Sequence, residues 1–323
     1  MERNRGSRWV ADFHCDTLFE TMRHGGDLRS RPQGQLDVER LEAAGVDLQV
    51  FAVFSHPASP RDSLHDALLM VEVFWQAVDQ GLLRPVLWRE DMQETAAPVR
   101  GMLSMEGAEP LQGDVDLLRL FFRLGVRALG LTWNGRNALA DGVDDAITGG
   151  GLTVAGRRVV AEMNRLGMLV DVSHLSEGGF WDVVSECRGP FIASHSNARA
   201  ICPHRRNLSD AQLCAVAASG GVVGINFCPP FLTATGQAGI SDILEHAEHM
   251  LSVMGRGHVG LGSDFDGVRQ LPEGIMGVEA LPALAQAFEK EFGSEVAAEL
   301  MGGSFTELLA IVLPAAPQGV PDR

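Results

Sequence analysis

Eight short apolar runs rich in β-formers, separated by stretches of helical periodicity, constrain this chain more than any other feature. The runs are Trp9–His14, Val46–Phe54, Gly101–Met105, Val126–Thr132, Met168–Val172, Pro190–His195, Gly221–Phe227 and His258–Ser263. Helical spacing marks Leu64–Val78, Val115–Leu124, Val154–Leu166 and Ala211–Ala218, then Leu281–Phe292 and Glu295–Val312 after the last run. Such alternation indicates parallel strands joined by crossover helices. Near-continuous apolar strands suit a sheet covered by helices on one side and filled on the other. At 323 residues and 46% hydrophobic, the economical solution is an α/β fold of the (β/α)8 TIM type. It would be one domain over residues 1–323 with short flexible termini. An open doubly wound sheet is the alternative, but no GxGxxG follows the first run. Asp141–Asp145 is expected to be an acidic surface turn.

Composition removes several function classes. A formal net charge of −16 makes a poor nucleic-acid binder. No apolar run reaches membrane-spanning length, and Met1–Arg8 is polar and arginine-rich without an apolar core behind it. The expectation is a soluble, cytoplasmic protein. Five cysteines, odd in number and without paired spacing, read as reduced thiols, with Cys15 packed in the core. There is no tyrosine, and Lys290 is the sole lysine. Schiff-base chemistry and a lysine-carbamate metal bridge are therefore not expected, so any bridging ligand should be a carboxylate.

The C-terminal strand ends carry the chemistry, the face where barrel enzymes build active sites. If the first strand persists, Asp12, His14 and Asp16 share a face. Glu106 ends the third run, Asp171 to His174 the fifth, Ser194-His195-Ser196 the sixth, and Gly262 to Gly267 the eighth. One tetrahedral zinc with an open position needs three protein ligands. Two zincs sharing Glu106 use five side chains: His14, Asp16 and Glu106 on one ion, Glu106, His174 and His195 on the other. A bridging hydroxide would complete the pair. Metals about 3.5–4 Å apart polarise a carbonyl and hold an activated water. Asp264 is left over as general base and later acid.

Blander readings compete. A histidine at a strand end is usually a hydrogen-bonded structural residue, and Asp264 and Asp266 beside Gly267 could be turn formers. The joint pattern outweighs them. Six acidic or imidazole groups on one rim are costly without cations. His246 and His249 lie on an acidic helical stretch and are expected to be solvated. His24, His65 and His258 have no metal-type neighbours, and His56 follows the second run on the correct rim.

These motifs, with Arg205-Arg206-Asn207, resemble the renal (membrane) dipeptidases, zinc peptidase family M19, in order and spacing over roughly residues 9–310. The resemblance implies a barrel with a binuclear zinc centre, and hydrolysis of dipeptides with tolerance for a C-terminal D-residue. It implies a small dipeptide as partner and a homodimer. Carried over, the ligands are the five already counted, and Asp264 matches the proton-transfer aspartate. Arg206 matches the arginine that binds the substrate carboxylate, a role suited to a guanidinium. Two positions depart from the renal pattern. Trp133 stands where a carbonyl-polarising histidine is expected, leaving Trp133 with Asn134 or Asn137 to contact substrate there. Phe231 falls near a missing tyrosine. Rival readings are a metal-dependent amidohydrolase acting on N-acyl amino acids or lactams, and a non-catalytic metal-binding barrel.

Overall fold

The structure, a computed structural model, describes residues 9–54, 62–93 and 98–317. His56 lies outside the described residues. In chain order the strands are β1 (Ala11–Asp12), β2 (Leu48–Phe54), β3 (Leu83–Pro85), β4 (Val99–Glu106), β5 (Val126–Gly130), β6 (Leu169–Asp171), β7 (Val223–Ile225) and β8 (Val259–Leu261). All pairings between them are parallel. The spatial order is β6-β5-β4-β2-β1-β8-β7, with β3 beside β4. Single bridges, Asp171 to Ile192 and Ala193 to Val223, join the two free edges and close the ring. The barrel expected from strand–helix alternation is therefore present.

Two staves differ from the sequence expectation. The run Pro190–His195 pairs only at Ile192 and Ala193, because side chains take over its backbone hydrogen bonds. The Ser194 N–H donates to Asp171 Oδ1 at 2.9 Å and the His195 N–H to Ser173 Oγ at 3.2 Å. The short strand β3 was not expected. It pairs with Val99–Gly101 of β4, before β5 joins that strand at Leu103.

Helices Ser63–Asp79, Val115–Arg123, Val154–Leu166 and Asp210–Ala218 match the periodic stretches closely. Side-chain caps set several starts. Thr153 Oγ1 accepts the Gly156 N–H, and Ser209 with Gln212 forms a capping box. The barrel interior is plugged by Ala11, Phe13, Leu48, Val50, Met102, Ala128, Leu169, Ile192 and Val222. Phe305, Leu308 and Leu309 join this plug from helix Ser304–Val312. The expected single helix over Glu295–Val312 is broken at Gly302, φ +155°. A Cβ there would lie 2.4 Å from the Ala11 backbone nitrogen, so the break lets the last helix close under β1.

The Asp141–Asp145 turn is only partly at the surface. Asp141 is buried, held by the Arg136 guanidinium and the Thr148 hydroxyl.

Candidate active site

Strand β1 ends at Asp12, so the expected shared face of Asp12, His14 and Asp16 dissolves. The Asp12 carboxylate instead accepts from Ser263 N and Oγ, at 2.8 and 2.6 Å, and from Gln49 Nε2 at 3.0 Å. It ties β1 to β8 and leaves His14 and Asp16 to face the rim.

There the five expected ligands converge, all buried. Glu106 lies at their centre. Its Oε2 is 3.4 Å from His14 Nε2, and its Oε1 is 2.8 Å from His174 Nε2 and 3.4 Å from His195 Nε2. Asp16 Oδ2 stands 3.6 Å from His14 Nε2. His14 Nε2 and Asp16 Oδ1 have no hydrogen-bond partner despite burial.

The neighbours of the rings fix their tautomers. His174 Nδ1 is 2.7 Å from Asn134 Oδ1, an acceptor, so that nitrogen carries the hydrogen. Ser194 Oγ donates to Asp171 Oδ2 at 2.5 Å and therefore accepts from His195 Nδ1 at 2.7 Å. Burial pushes His174 down to about 4, and burial with His14 holds His195 well below the usual imidazole range. Both rings are thus neutral with bare Nε2 atoms, and these lie 2.8 Å apart beside Glu106 Oε1. Three lone-pair atoms meeting without a proton call for a cation.

The carboxylates fit the same reading. Burial, then Glu106, pushes Asp16 up to about 8. Burial would also raise Glu106, but the charge of nearby His14 holds it well below the usual carboxylate range. A group His14, Glu106 and His195 and a group His14, Asp16 and Asp264 each bring ligand atoms within 4.8 Å of one another. Such N and O donors suit zinc.

Asp264 sits on the turn after β8 at φ +64°, with His174 at φ +66° and Asp266 at φ +65°. Three non-glycine residues in the left-handed region at one rim mark backbone conformations held by their surroundings. Asp264 Oδ2 accepts from Asn226 Nδ2 at 2.9 Å, and burial with nearby Glu106 pushes it up to about 6. A Cβ on Gly267 would lie 2.1 Å from Asp16 Oδ2 and 2.2 Å from Asp264 Oδ1. Only glycine lets the turn pass that close to both carboxylates.

A cavity of about 1080 Å³ opens over this cluster, lined by Asp16, Glu106, His174 and Asp264 together with Trp133, Phe54, Arg206 and Phe231. Arg206 is 4% exposed. Its Nη2 donates to the His195 carbonyl at 3.1 Å, and its Nε has no partner. Its guanidinium carbon lies 5.6 Å from the centre of the Phe231 ring. Arg205 instead points out, pairing with Asp144 at 2.8 Å.

A family model described as membrane dipeptidase, peptidase family M19, matches residues 6–313. This chain belongs to peptidase family M19. Membership makes it a metal-dependent dipeptidase, a hydrolase of peptide bonds. The M19 metallopeptidase called dipeptidase AC superposes with a TM-score of 0.87 at 32% identity, over 95% of this chain and 99% of that one. A metallopeptidase from Rhodobacter sphaeroides, solved with a phosphinate mimic of the dipeptide L-Ala-D-Ala, gives 0.86 at 32% identity, over 94% and 99%. The dipeptidase aclJ of Aspergillus oryzae is 31% identical over 78% of this chain, which spans 64% of that protein's length. No helix among the described residues of this M19 chain is long and apolar enough to cross a membrane.

Within the M19 site some expected residues stand elsewhere. Asn137 does not line the cavity. Its Nδ2 donates to the Leu131 carbonyl and Glu109, and its Oδ1 accepts the Leu139 and Ala140 N–H groups, so its amide is used up in the turn. Asn134 lines the cavity but orients His174. Trp133 does line it, packed edge-on against Phe54 with ring centres 5.6 Å apart and 6.0 Å from the His174 ring. His246 is fully buried, not solvated: Nδ1 accepts the Ala198 N–H at 3.1 Å and Nε2 donates to the Leu232 carbonyl at 3.0 Å. Asn226 and Ser194 were missed as supporting residues; their only sequence signal is a polar residue one place before the end of an apolar run.

Proposed function

We propose that this chain is a binuclear zinc dipeptidase, with His14, Asp16 and Glu106 holding one ion and Glu106, His174 and His195 the other. The observation that carries this reading is the split of Glu106, one carboxylate oxygen toward His14 and the other toward His174 and His195. A carboxylate bridging two cations presents its oxygens in this way. When bound, the metals supply Lewis acidity toward the scissile carbonyl and lower the pKa of water.

The chain's own groups do the rest. Arg206 binds the dipeptide's free carboxylate with its buried guanidinium, whose unpaired Nε is a donor awaiting an acceptor. Trp133 and Phe54 form an apolar wall that excludes bulk water. Asp264 accepts the proton of the attacking water at its carboxylate and later delivers it to the leaving amine. Asn226 holds that carboxylate through Oδ2, leaving Oδ1 for the proton.

The Rhodobacter relative's L-Ala-D-Ala mimic supports substrates of the type L-Xaa-D-Xaa as well as L-Xaa-L-Xaa. We also propose that the protein is a cytoplasmic homodimer. Light scattering on the purified protein and cell fractionation test those two points. For the activity, the deciding experiment is a screen of L,L and L,D dipeptides with metal analysis of the same sample. Turnover of no dipeptide with metal fully loaded would sink the reading.

A further inference from the structure

The proton path and the metal ligands leave Asp266 unused, yet its carboxylate is 4% exposed and fully engaged. Its Oδ2 accepts from Thr17 Oγ1 at 2.7 Å and Arg31 Nη1 at 2.5 Å, and its Oδ1 accepts the Gln35 N–H at 2.8 Å. The Asp266 N–H donates back to Gln35 Oε1 at 2.8 Å, and Gln35 Nε2 donates to the Val268 carbonyl at 2.8 Å. An aspartate that merely formed its turn would bond within that turn. None of these side-chain bonds does.

The bonds join three stretches that each bear on the reaction. Thr17 follows the ligand Asp16. Arg31 and Gln35 belong to a stretch that lines the cavity. Asp266 itself shares its turn with Asp264. That turn is already wedged against both reactive carboxylates at Gly267, and its two aspartates sit in the left-handed region.

We propose that Asp266 is a positioning residue: it locks the cavity wall around Arg31–Gln35 to the turn that carries Asp264, and so sets where substrate sits relative to the proton carrier. The inference rests on the dipeptidase reading given above. Its physical basis is geometric, since a misplacement of about 1 Å from a change away from the chemistry can cost about 100-fold. The wall has other anchors that preserve its own shape. Asp37 accepts the Arg31 N–H at 2.9 Å, Arg40 Nη2 donates to the Gly34 carbonyl at 2.7 Å, and the Gln35 carbonyl accepts the Val278 N–H at 2.9 Å. Loss of Asp266 would therefore shift the wall against the Asp264 turn without unfolding it.

The test compares the zinc-loaded wild type with Asp266→Ala, Asp266→Asn and Arg31→Ala. Steady-state kinetics on one good dipeptide are read per folded, metal-loaded site, with hydrogen exchange measured alongside. Asp266→Ala should lower kcat/KM by about 100-fold. Arg31→Ala, which frees only the wall, should raise KM about tenfold and leave kcat within about threefold. Asp266→Asn keeps an acceptor oxygen and should fall between. Exchange should quicken in residues 29–36 of both alanine variants and in residues 262–268 of Asp266→Ala, with or without substrate. Wild-type KM and kcat per folded site in Asp266→Ala would overturn the proposal. Should that variant fail to fold, an unchanged KM in Arg31→Ala overturns it instead. Unaltered exchange in both stretches does so even if the wild type hydrolyses no dipeptide, whereas quickened exchange without any turnover would count against the dipeptidase reading alone.

Discussion

Nε2 of His174 and Nε2 of His195 lie 2.8 Å apart, and the acceptors behind the two rings leave neither with a hydrogen on that side. Two neutral imidazoles do not approach in this way for their own benefit. Glu106 Oε1 adds a third lone-pair atom at the same point, and a divalent cation there would turn repulsion into coordination.

Metal content follows from that arrangement. Protein purified without chelator and supplemented with zinc should hold close to two metals per chain by elemental analysis. Glu106→Gln should lower occupancy at both positions, because one carboxylate serves both groups of ligands. Chelation should lower the melting temperature, since any ligand bound only by the folded state stabilises it, by about 4 kcal/mol at 1,000 times its Kd.

Asp264→Asn should reduce kcat by about 10²–10⁴-fold, the usual contribution of general acid–base catalysis, while metal content stays near that of the wild type. Loss of metal with the substitution would make Asp264 a ligand. The sign of the pH dependence follows from its surroundings. Burial pushes the Asp264 carboxyl up to about 6, and bound cations pull it down again. The base must be deprotonated, so kcat/KM should fall as pH drops, with the acid limb at or below about 6.

Arg206→Ala should lower kcat/KM at least about tenfold on a free dipeptide, because a charge-assisted hydrogen bond contributes about 1.5–3 kcal/mol. The loss should shrink on the C-terminally amidated substrate, which lacks the carboxylate. Kinetics of both proteins on both substrates form a double-mutant cycle, and equal losses would remove Arg206 from that role.

Gly267→Ala should cripple the site while leaving the barrel folded. Its added methyl would have to displace Asp16 Oδ2 and Asp264 Oδ1, 2.1 and 2.2 Å away. Zinc affinity and kcat should fall together, with far-ultraviolet circular dichroism unchanged.

Acid stability has a separate source. Glu162 accepts from Arg165 and Arg119, and these hydrogen bonds lower its carboxyl from 4.5 to about 2. A depressed carboxyl stabilises the fold above its unfolded value and loses that contribution as pH falls through the folded one. The window therefore runs from about 4.5 down to about 2. Glu162→Gln should bring the melting temperatures of wild type and variant together across that range and separate them at pH 7.

Much of the candidate site was legible along the chain, because histidines, carboxylates, glycines and strand ends announce themselves by residue type and spacing. His14, Asp16, Glu106, His174, His195 and Asp264 all stand at one rim, since parallel strands of a closed barrel end on the same side. Three-dimensional packing decided the rest. The doublet Arg205-Arg206 reads alike in sequence, yet one arginine is buried under the cavity and the other pairs with Asp144 in solvent. Asn134 and Asn137 read alike too, but one orients His174 and the other closes a turn. His246 sits among acidic neighbours and is nonetheless buried, held by the Ala198 N–H and the Leu232 carbonyl. Asp266 looked like a turn former until Thr17, Arg31 and Gln35 came to it from the far end of the chain. Periodicity and residue type are local properties and can be read locally. Burial, hydrogen-bond partnership and the direction of a side chain depend on stretches distant in sequence, and only the folded barrel brings those together.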